Sequence, residues 1–294
     1  MAKVCIVIVN YNGAKFQNDC LRTLFKMENQ DFEIVIVDSG STDNSVKMAK
    51  DQFENITVLE QGDNVGVAKG NNIGIQYGIS RGAEYTLLLN NDTEVDPKML
   101  DELLKHADER TIVVPKIYYY DPSDVLWYGG GDFVFEKGTV NHVGCDEKDI
   151  GQCNEIRYVE YSPTCCMLIK NSVFKDVGLI DEKVFMYCDD TDFCVRLYDK
   201  GYKILYVPNS IVWHKVSSSS GGNKSKLGIY YMNRNQLYFM KKHKIPVRII
   251  PYESDKHLVI DEAQKMKTAL WNVNNFGGYN LIWKNLNKFF GTCL

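Results

Sequence analysis

The sequence lacks any long apolar run and any excess of positive charge. No apolar segment approaches the length of about 18 residues that a transmembrane helix needs, and the first apolar run has no small-residue cleavage site after it. The 34 Lys and Arg residues are outnumbered by 38 Asp and Glu residues, so there is no electrostatic basis for non-specific binding to nucleic acid. We therefore expect neither a membrane-spanning nor a secreted protein, and no nucleic-acid partner.

Cysteine pairs and several cofactor motifs are also missing. The nine cysteines are odd in number and form no Cys-x-x-Cys pair, and two of them, Cys165 and Cys166, are adjacent. This usage predicts reduced, mostly buried thiols and a cytoplasmic protein. The chain has no Gly-x-Gly-x-x-Gly after its first strand, no Walker-type Gly-Lys-Ser/Thr and no His-Glu-x-x-His. The sequence therefore lacks the motifs that would identify a dinucleotide oxidoreductase or a P-loop kinase.

The sequence does contain a series of short apolar runs that each end at polar side chains. The runs and their polar ends are 4–9 before Asn10 and Asn12, 34–37 before Asp38, 56–59 before Asp63 and Asn64, and 85–89 before Asn90, Asn91 and Asp92. Such runs are typical of buried parallel strands, whose carboxyl ends form the ligand-binding edge of an α/β sheet. Helical patterns separate the runs, so the sequence predicts a parallel βαβ array with polar groups at one edge.

Glycine recurs at every fourth position between the third and fourth predicted strands. The positions are Gly66, Gly70, Gly74, Gly78 and Gly82. An interior glycine destabilises a helix by about 0.5–1 kcal/mol relative to alanine, so this stripe needs a compensating close approach of the helix to the sheet or to a ligand. Lys69, Asn71 and Asn72 make the segment too polar for a membrane helix pair. We expect packing against the sheet, with Gly66 and its neighbours near a ligand.

From Pro115 onward the sequence is less regular and rich in Gly and Tyr. We predict a first half over residues 1–115, a second half over 116–244, and a helical extension over 245–294. Within the second half the patterns predict a strand at 166–169, helices from Asn171 and from about Asp190, and two strands separated by Pro208. The Ser- and Gly-rich residues 217–222 fit either a mobile loop or a simple linker.

The carboxyl-terminal segment has one apolar helical face. Its apolar residues are Tyr279, Ile282, Trp283, Leu286, Phe289 and Phe290, and Lys284 and Lys288 lie opposite. Burial of this face against the protein body or in a homodimer is one interpretation. Peripheral attachment to an anionic membrane is the other interpretation.

Asp92 and His214 are candidate ligands of a divalent metal ion. Asp92 offers one hard oxygen, and the neighbouring Asn90 and Asn91 offer amide oxygens, so phosphate oxygens of a substrate would have to complete the coordination of Mg²⁺ or Mn²⁺. An imidazole ligand from His214 favours Mn²⁺ over Mg²⁺. The alternative is that His214, next to Trp213 at a strand end, is a structural residue with satisfied hydrogen bonds.

Three carboxylates lie close together in Asp189-Asp190-Thr191-Asp192, at the start of a predicted helix. Capping of the helix accounts for one of them but not for all three. Mutual repulsion raises the proton affinity of at least one carboxylate, and a base with a pKa near neutrality suits the deprotonation of a hydroxyl group. This group is therefore a candidate catalytic base.

These segments together resemble the family 2 inverting glycosyltransferases of the GT-A fold, particularly their rhamnosyltransferase-like branch. The matching segments, in order, are 7–12, 38–45, 64–72, 88–92 (Leu-Leu-Asn-Asn-Asp, in the place of the Asp-x-Asp metal motif), 185–196 and 208–214. The resemblance extends from the amino terminus to about Lys244. It implies a Rossmann-like, mostly parallel central sheet flanked by helices, with a mixed acceptor-binding half. On this resemblance, residues 1–115 are the nucleotide-sugar-binding half and residues 116–244 are the acceptor-binding and catalytic-base half.

The resemblance also implies roles for individual residues. A nucleotide diphosphate sugar, dTDP- or UDP-linked, would be the donor, and Asp92 and His214 would hold Mn²⁺ or Mg²⁺ against its diphosphate. Asp190 matches the general base that deprotonates the acceptor hydroxyl, and Asp192 would orient hydroxyl groups. The predicted donor contacts are Asn10, Asn12, Asp38, Asn64, Gly66, Lys69, Asn71, Asn91 and Arg234. Arg234 would stabilise the phosphate charge, and Lys224 and Lys226 would assist it.

The predicted function is the transfer of a sugar, with rhamnose as a candidate, to a glycan or lipid-linked glycan in cell-surface polysaccharide synthesis. Asp189 replaces the family's usual Glu, and Thr164 stands where many relatives have Gly, so the sugar and acceptor are left open. One alternative is a sugar-nucleotide nucleotidyltransferase, but that activity needs a basic Gly-rich loop where Asn-Tyr-Asn-Gly occurs. A non-catalytic sugar-nucleotide-binding scaffold is the other alternative, and the intact Asp92 and Asp190 argue against it.

Overall fold

The computed structural model describes residues 3–216 and 226–245. The chain divides into two compact units, residues 1–219 and residues 220–294, and each is described by itself. Within the described ranges, no helix is both long enough and apolar enough to cross a bilayer. Eight cysteines in these ranges are free and most of them are buried, which agrees with the prediction of reduced, buried thiols.

The first part of the chain forms the predicted parallel βαβ array. Its elements are β1 (Val4–Asn10), α1 (Gln17–Leu24), β2 (Phe32–Asp38), α2 (Ser45–Gln52), β3 (Ile56–Glu60), α3 (Gly66–Arg81) and β4 (Tyr85–Asn90). β1 pairs in parallel with β2 and β4, and β2 pairs in parallel with β3. The carboxyl ends of these strands share one edge, where Asn10 and Asp38 are register partners.

Most of the remaining strands of the first unit extend the same sheet. The elements are β5 (Thr93–Val95), α4 (Met99–Leu104), β6 (Thr111–Tyr119), β7 (Leu126–Tyr128), β8 (Gly131–Val134), β9 (Thr139–His142), β10 (Arg157–Val159), β11 (Cys166–Lys170), α5 (Asn171–Val177), α6 (Asp189–Asp199) and β12 (Lys203–His214). The order is β10-β12-β6-β11-β4-β1-β2-β3, and β8 and β9 form a separate hairpin. The domain boundary predicted at residue 115 falls inside β6, so the two predicted halves share one sheet.

The strand that leads to His214 differs from the prediction. Two strands interrupted by Pro208 were expected, but β12 is one strand of 12 residues that pairs in parallel with β6 along its length. The register shifts between Val207 and Ile211. An irregularity of this kind accommodates a proline, because proline has no N–H to donate to the ladder. The strand therefore continues past Pro208 and places His214 at the same sheet edge as Asp92.

The glycine stripe of α3 packs against β1, as predicted. A Cβ atom added at Gly70 would lie 2.8 Å from Val9 Cγ1, and one added at Gly74 would lie 2.2 Å from Val7 Cγ1. Val7 is fully buried. The absence of side chains along the stripe lets the helix approach the sheet more closely than alanine would allow.

We predict that Gly74→Ala destabilises the protein. Overpacking typically costs about 1–3 kcal/mol, and a contact of 2.2 Å with a stiff β-branched side chain is at the upper end, which exceeds the gain of about 1 kcal/mol in helix propensity. The measurement is the free energy of unfolding in urea. The double variant Gly74→Ala/Val7→Ala removes both Cγ atoms and should recover part of the loss. A stabilised Gly74→Ala protein would show that α3 does not lie this close to β1.

The described part of the second unit is α7 (Lys226–Lys242), which contains the predicted donor contact Arg234. Within the helix, Arg234 Nη1 donates a hydrogen bond of 2.7 Å to Asn235 Oδ1. The predictions for residues 217–222, for Lys224 and for the amphipathic helix near residues 279–290 lie outside the described residues.

Candidate active site

Asp92 and His214 meet at the carboxyl edge of the sheet. Asp92 follows β4, and His214 is the last residue of β12, where it is the register partner of Thr93 in β5. A backbone hydrogen bond of 2.9 Å from Lys215 N to Asp92 O also joins the two segments. His214 Nε2 lies 3.1 Å from Asp92 Oδ1, and both side chains are almost fully buried.

The geometry of this pair fits a divalent metal ion. Two ligands at about 2.1 Å in adjacent octahedral positions lie about 3.0 Å apart, close to the separation of 3.1 Å between His214 Nε2 and Asp92 Oδ1. The other imidazole nitrogen, Nδ1, is buried and has no hydrogen-bond partner among the described residues. The described residues contain no cluster of three or more His, Cys, Asp or Glu side chains that would form a complete metal cage.

Asn10 lies in a buried polar network that links the predicted nucleotide site to the predicted metal site. Its Nδ2 donates to Asp38 Oδ1 at 2.8 Å and to Ser45 Oγ at 2.9 Å. Its Oδ1 accepts a hydrogen bond of 3.0 Å from Asn91 Nδ2, and Asn91 precedes Asp92. Asp38 also accepts hydrogen bonds from the hydroxyl and the backbone N–H of Ser41, at 2.5 and 3.0 Å. The Asn10 side chain is fully buried and its amide groups are occupied by protein partners.

The other residues predicted to contact the donor fall into exposed and buried sets. Asn12, Asn64 and Lys69 are exposed, whereas Asn71 is buried. Asn64 Oδ1 accepts a hydrogen bond of 3.0 Å from the backbone N–H of Gly66, at the start of α3. A Cβ atom added at Gly66 would lie 2.5 Å from the ring of Phe185, so this glycine permits close approach of the segment that precedes α6.

The residues before α6 have an unusual backbone conformation. Tyr187 and Cys188 have φ angles of 64° and 61°, in the left-handed region that non-glycine residues rarely adopt. Strained backbone of this kind clusters at functional sites. Because α6 begins immediately afterwards, the strained segment fixes the direction in which its first turn presents Asp189, Asp190 and Asp192.

The three carboxylates of this turn have different surroundings. Asp190 is half-buried, whereas Asp189 is buried and accepts a hydrogen bond of 3.2 Å from Thr164 Oγ1. Burial, followed by the charge of Asp190, raises the pKa of Asp189 to about 7. Asp189 therefore carries a proton part of the time near neutral pH, which limits repulsion within the pair and agrees with the expected rise in proton affinity.

Asp192 is the most deeply buried carboxylate of the acidic turn. Its side chain is 2% exposed, and its Oδ2 forms an ion pair of 2.9 Å with Arg196, four residues further along α6. The same guanidinium donates to the backbone carbonyls of Val177 and Leu179, each at 2.9 Å. The role predicted for Asp192, the orientation of hydroxyl groups, stays a prediction.

An aromatic cluster connects Asp190 to His214, and the sequence analysis missed it. Tyr161 Oη donates a hydrogen bond of 2.7 Å to Asp190 Oδ2. The Tyr161 ring stacks on His142 with centroids 5.6 Å apart, His142 meets the edge of Trp127 at 4.8 Å, and Trp127 meets His214 at 4.6 Å. These contacts bring the acidic turn and the Asp92–His214 pair to one region of the protein. Only the Tyr-, Trp- and Gly-rich composition of this stretch hinted at it.

Comparison with known proteins identifies the class. The sequence profile described as Glycosyl transferase family 2 matches residues 5–178, more than half of the chain, and the chain belongs to this family. It is therefore a hexosyltransferase of family 2 that acts on sugar donors, which confirms the predicted enzyme class. Asp190 and His214 lie beyond residue 178, so their assignment rests on the resemblance of their segments and on the geometry described above.

Similar proteins include rhamnosyltransferases, in agreement with the predicted branch. The chain is 28% identical to Glycosyltransferase GlyG of Streptococcus pneumoniae, over 74% of the chain and 72% of that protein. It is 26% identical to N-acetylglucosaminyl-diphospho-decaprenol L-rhamnosyltransferase of Mycobacterium tuberculosis, over 74% of the chain and 77% of that protein.

Solved structures support the predicted fold. The mannosyltransferase PcManGT of Pyrobaculum calidifontis, solved with GDP-Man and Mn²⁺, has a TM-score of 0.58 and 16% identity, over 99% of this chain and 81% of that one. The fold is the GT-A fold of glycosyltransferases, as the sequence predicts.

Proposed function

We propose that the protein is a metal-dependent inverting glycosyltransferase. It transfers a sugar from a nucleotide diphosphate donor to a hydroxyl group of a glycan or lipid-linked glycan. The observation that carries this proposal is the Asp92–His214 pair, 3.1 Å apart, joined through Trp127, His142 and Tyr161 to Asp190. This arrangement supports a metal-binding pair and a general base that act at one site, as a single displacement at the anomeric carbon requires.

Asp92 and His214 would hold the metal ion through one oxygen and one nitrogen. The imidazole favours Mn²⁺, and a bound ion would neutralise charge on the leaving diphosphate. With only two protein ligands, the remaining positions fall to diphosphate oxygens and water. We therefore expect metal and nucleotide to bind together, each strengthening the affinity for the other.

Asn10, Asp38 and Asn91 form the floor of the proposed nucleotide site. Because the Asn10 amide is occupied by Asp38, Ser45 and Asn91, we assign it the role of fixing Asp38 and the residue before Asp92. The exposed Asn12, Asn64 and Lys69, with Gly66, Asn71 and Arg234, remain proposed donor contacts.

Asp190 is the proposed base. It is the half-buried member of the acidic turn and can therefore meet an acceptor hydroxyl, while Asp189 and Asp192 are buried. The acceptor proton moves to the Asp190 carboxylate as the acceptor oxygen bonds to the anomeric carbon. The bond from that carbon to the diphosphate breaks, and the configuration inverts.

The rhamnosyltransferase relative suggests L-rhamnose as the sugar and a lipid-linked N-acetylglucosaminyl diphosphate as the acceptor, in cell-surface polysaccharide synthesis. A dTDP-linked donor fits a deoxysugar, and UDP-linked sugars are the alternative. The free, mostly buried thiols support a cytoplasmic location, and a lipid-linked acceptor would bring the enzyme to the inner face of the membrane.

A thermal-shift screen of UDP, dTDP and GDP, with and without Mn²⁺, tests the donor assignment. Ligand at 100 times its Kd stabilises a protein by about 2.7 kcal/mol, or about 5 °C or more in Tm for a domain of this size. We expect such a shift only with nucleotide and Mn²⁺ together, and the largest shift with dTDP if the sugar is rhamnose. Equal shifts with and without EDTA would contradict metal dependence.

A further inference from the structure

Both oxygens of the Asp190 carboxylate have fixed partners. Oδ2 accepts the hydrogen bond of 2.7 Å from Tyr161 Oη. Oδ1 accepts hydrogen bonds from the backbone N–H of Thr191, at 2.6 Å, and from its hydroxyl, at 3.1 Å. The partner of Oδ1 is the next residue in the same helix, whereas Tyr161 reaches Asp190 from the segment between β10 and β11. Tyr161 is therefore the contact through which the rest of the fold sets the carboxylate's orientation.

Tyr161 is itself held on several sides. It is 3% exposed, its backbone N–H donates to Gly131 O at 3.0 Å, and its carbonyl oxygen accepts a hydrogen bond of 2.6 Å from Tyr128 Oη. A Cβ atom added at Gly131 would lie 2.7 Å from Tyr161 Cδ1, so the β8–β9 hairpin packs directly on the ring. The phenol group thus has little freedom to turn away from Asp190.

The His142 ring stacks on the Tyr161 ring, with ring centroids 5.6 Å apart. Its Nδ1 lies 3.0 Å from Trp127 O, and because a carbonyl oxygen only accepts, Nδ1 carries the proton. Burial lowers the pKa of His142 below its usual value, so the imidazole is neutral at pH 7. His142 therefore does not form an ion pair with Asp190. Trp127 continues the cluster to His214. The same rigid set of rings therefore contacts both the proposed base and the proposed metal ligand.

We propose that Tyr161 is a positioning residue for the base: its hydroxyl holds the Asp190 carboxylate in the orientation that receives the acceptor proton. This inference rests on the proposed function. Tyr161 keeps its own proton throughout, because burial and then the Asp190 charge raise the pKa of its phenol well above the usual value. The simpler alternative is that Tyr161 only fills the core and that Asp190 is a convenient acceptor for its hydroxyl.

The test is Tyr161→Phe, which keeps the ring and removes only the hydroxyl. The assay is release of nucleoside diphosphate from dTDP-L-rhamnose, UDP-glucose and UDP-N-acetylglucosamine with Mn²⁺, where water can replace the acceptor. We expect kcat to fall about tenfold with an unchanged KM for the donor, because donor binding uses other residues.

The matched control is Tyr206→Phe. Tyr206 is a fully buried tyrosine whose hydroxyl donates a hydrogen bond of 2.9 Å to Cys153 O, and no hydrogen bond joins it to Asp190. This control should lower the Tm to a similar extent and leave kcat unchanged.

The outcomes separate the two proposals. An active wild type whose kcat and KM are unaltered by Tyr161→Phe would overturn the positioning role alone. Equal kinetic changes in Tyr161→Phe and Tyr206→Phe would do the same, because they would reflect general loosening of the core. A wild type that turns over none of the donors would overturn the proposed function and this inference with it.

Discussion

Asp190→Asn is expected to lower kcat by about 10²- to 10⁴-fold, the usual contribution of a positioned general base. The substitution keeps the size of the side chain, its one oxygen can still accept the hydrogen bond from Thr191 N–H, and its amide N–H can donate to Tyr161 Oη, so the change in structure is small. Nucleotide diphosphate binding in the presence of Mn²⁺ should be nearly unchanged, because Asp190 is not part of the proposed metal or nucleotide site. The measurements are steady-state release of nucleoside diphosphate and calorimetric titration with the nucleotide.

The control is Asp199→Asn, the same substitution at the exposed carboxyl end of the same helix. This variant should match the wild type in both measurements. Loss of catalysis and nucleotide binding together in Asp190→Asn would show that Asp190 caps α6 structurally and is not the base.

Asp92→Asn is expected to lower turnover by about 10³-fold or more, because a Lewis-acid contribution of several kcal/mol is lost with the ion. An amide oxygen is neutral and binds a hard divalent cation more weakly than a carboxylate. Unlike Asp190→Asn, this variant should also lose the Mn²⁺-dependent part of nucleotide binding. His214→Gln should have the same two effects, since His214 Nε2 is the other proposed ligand.

His106→Gln serves as the control for the histidine substitution. His106 lies beyond the carboxyl end of α4, away from the Asp92–His214 pair. The His106→Gln variant should bind Mn²⁺ and nucleotide as the wild type does. Normal Mn²⁺-dependent binding in both Asp92→Asn and His214→Gln would contradict the assignment of these two residues as metal ligands.

Much of the nucleotide-binding part could be predicted from the sequence, for physical reasons. Buried parallel strands are apolar runs, and the first polar residue after each run marks the edge where the strands end together. Asn10 and Asp38 are consequently register partners, as their positions suggested. The stripe that includes Gly70 and Gly74 was interpretable because a glycine inside a helix destabilises it unless a close contact compensates, and that contact is with Val9 and Val7.

The surroundings of the acidic turn were less predictable. The Asp192–Arg196 ion pair did leave a signal, since Asp and Arg four residues apart on a helix face each other. The aromatic cluster left only a Tyr-, Trp- and Gly-rich composition, because β7, β8 and β9 are strands of only three or four residues. Which of their rings face the site depends on the turns between them. The contact between Tyr161 and Asp190 joins segments 29 residues apart and is visible only in the folded protein.

The most direct test of the central claim is a crystal structure with Mn²⁺ and the nucleotide selected by the thermal-shift screen. Anomalous scattering of manganese locates the ion independently of the protein atoms. We expect one manganese ion, bound by Asp92 Oδ1, His214 Nε2 and diphosphate oxygens, with Asp190 facing the same cleft. A manganese peak bound elsewhere on the diphosphate, with the contact between Asp92 and His214 unbroken, would contradict it.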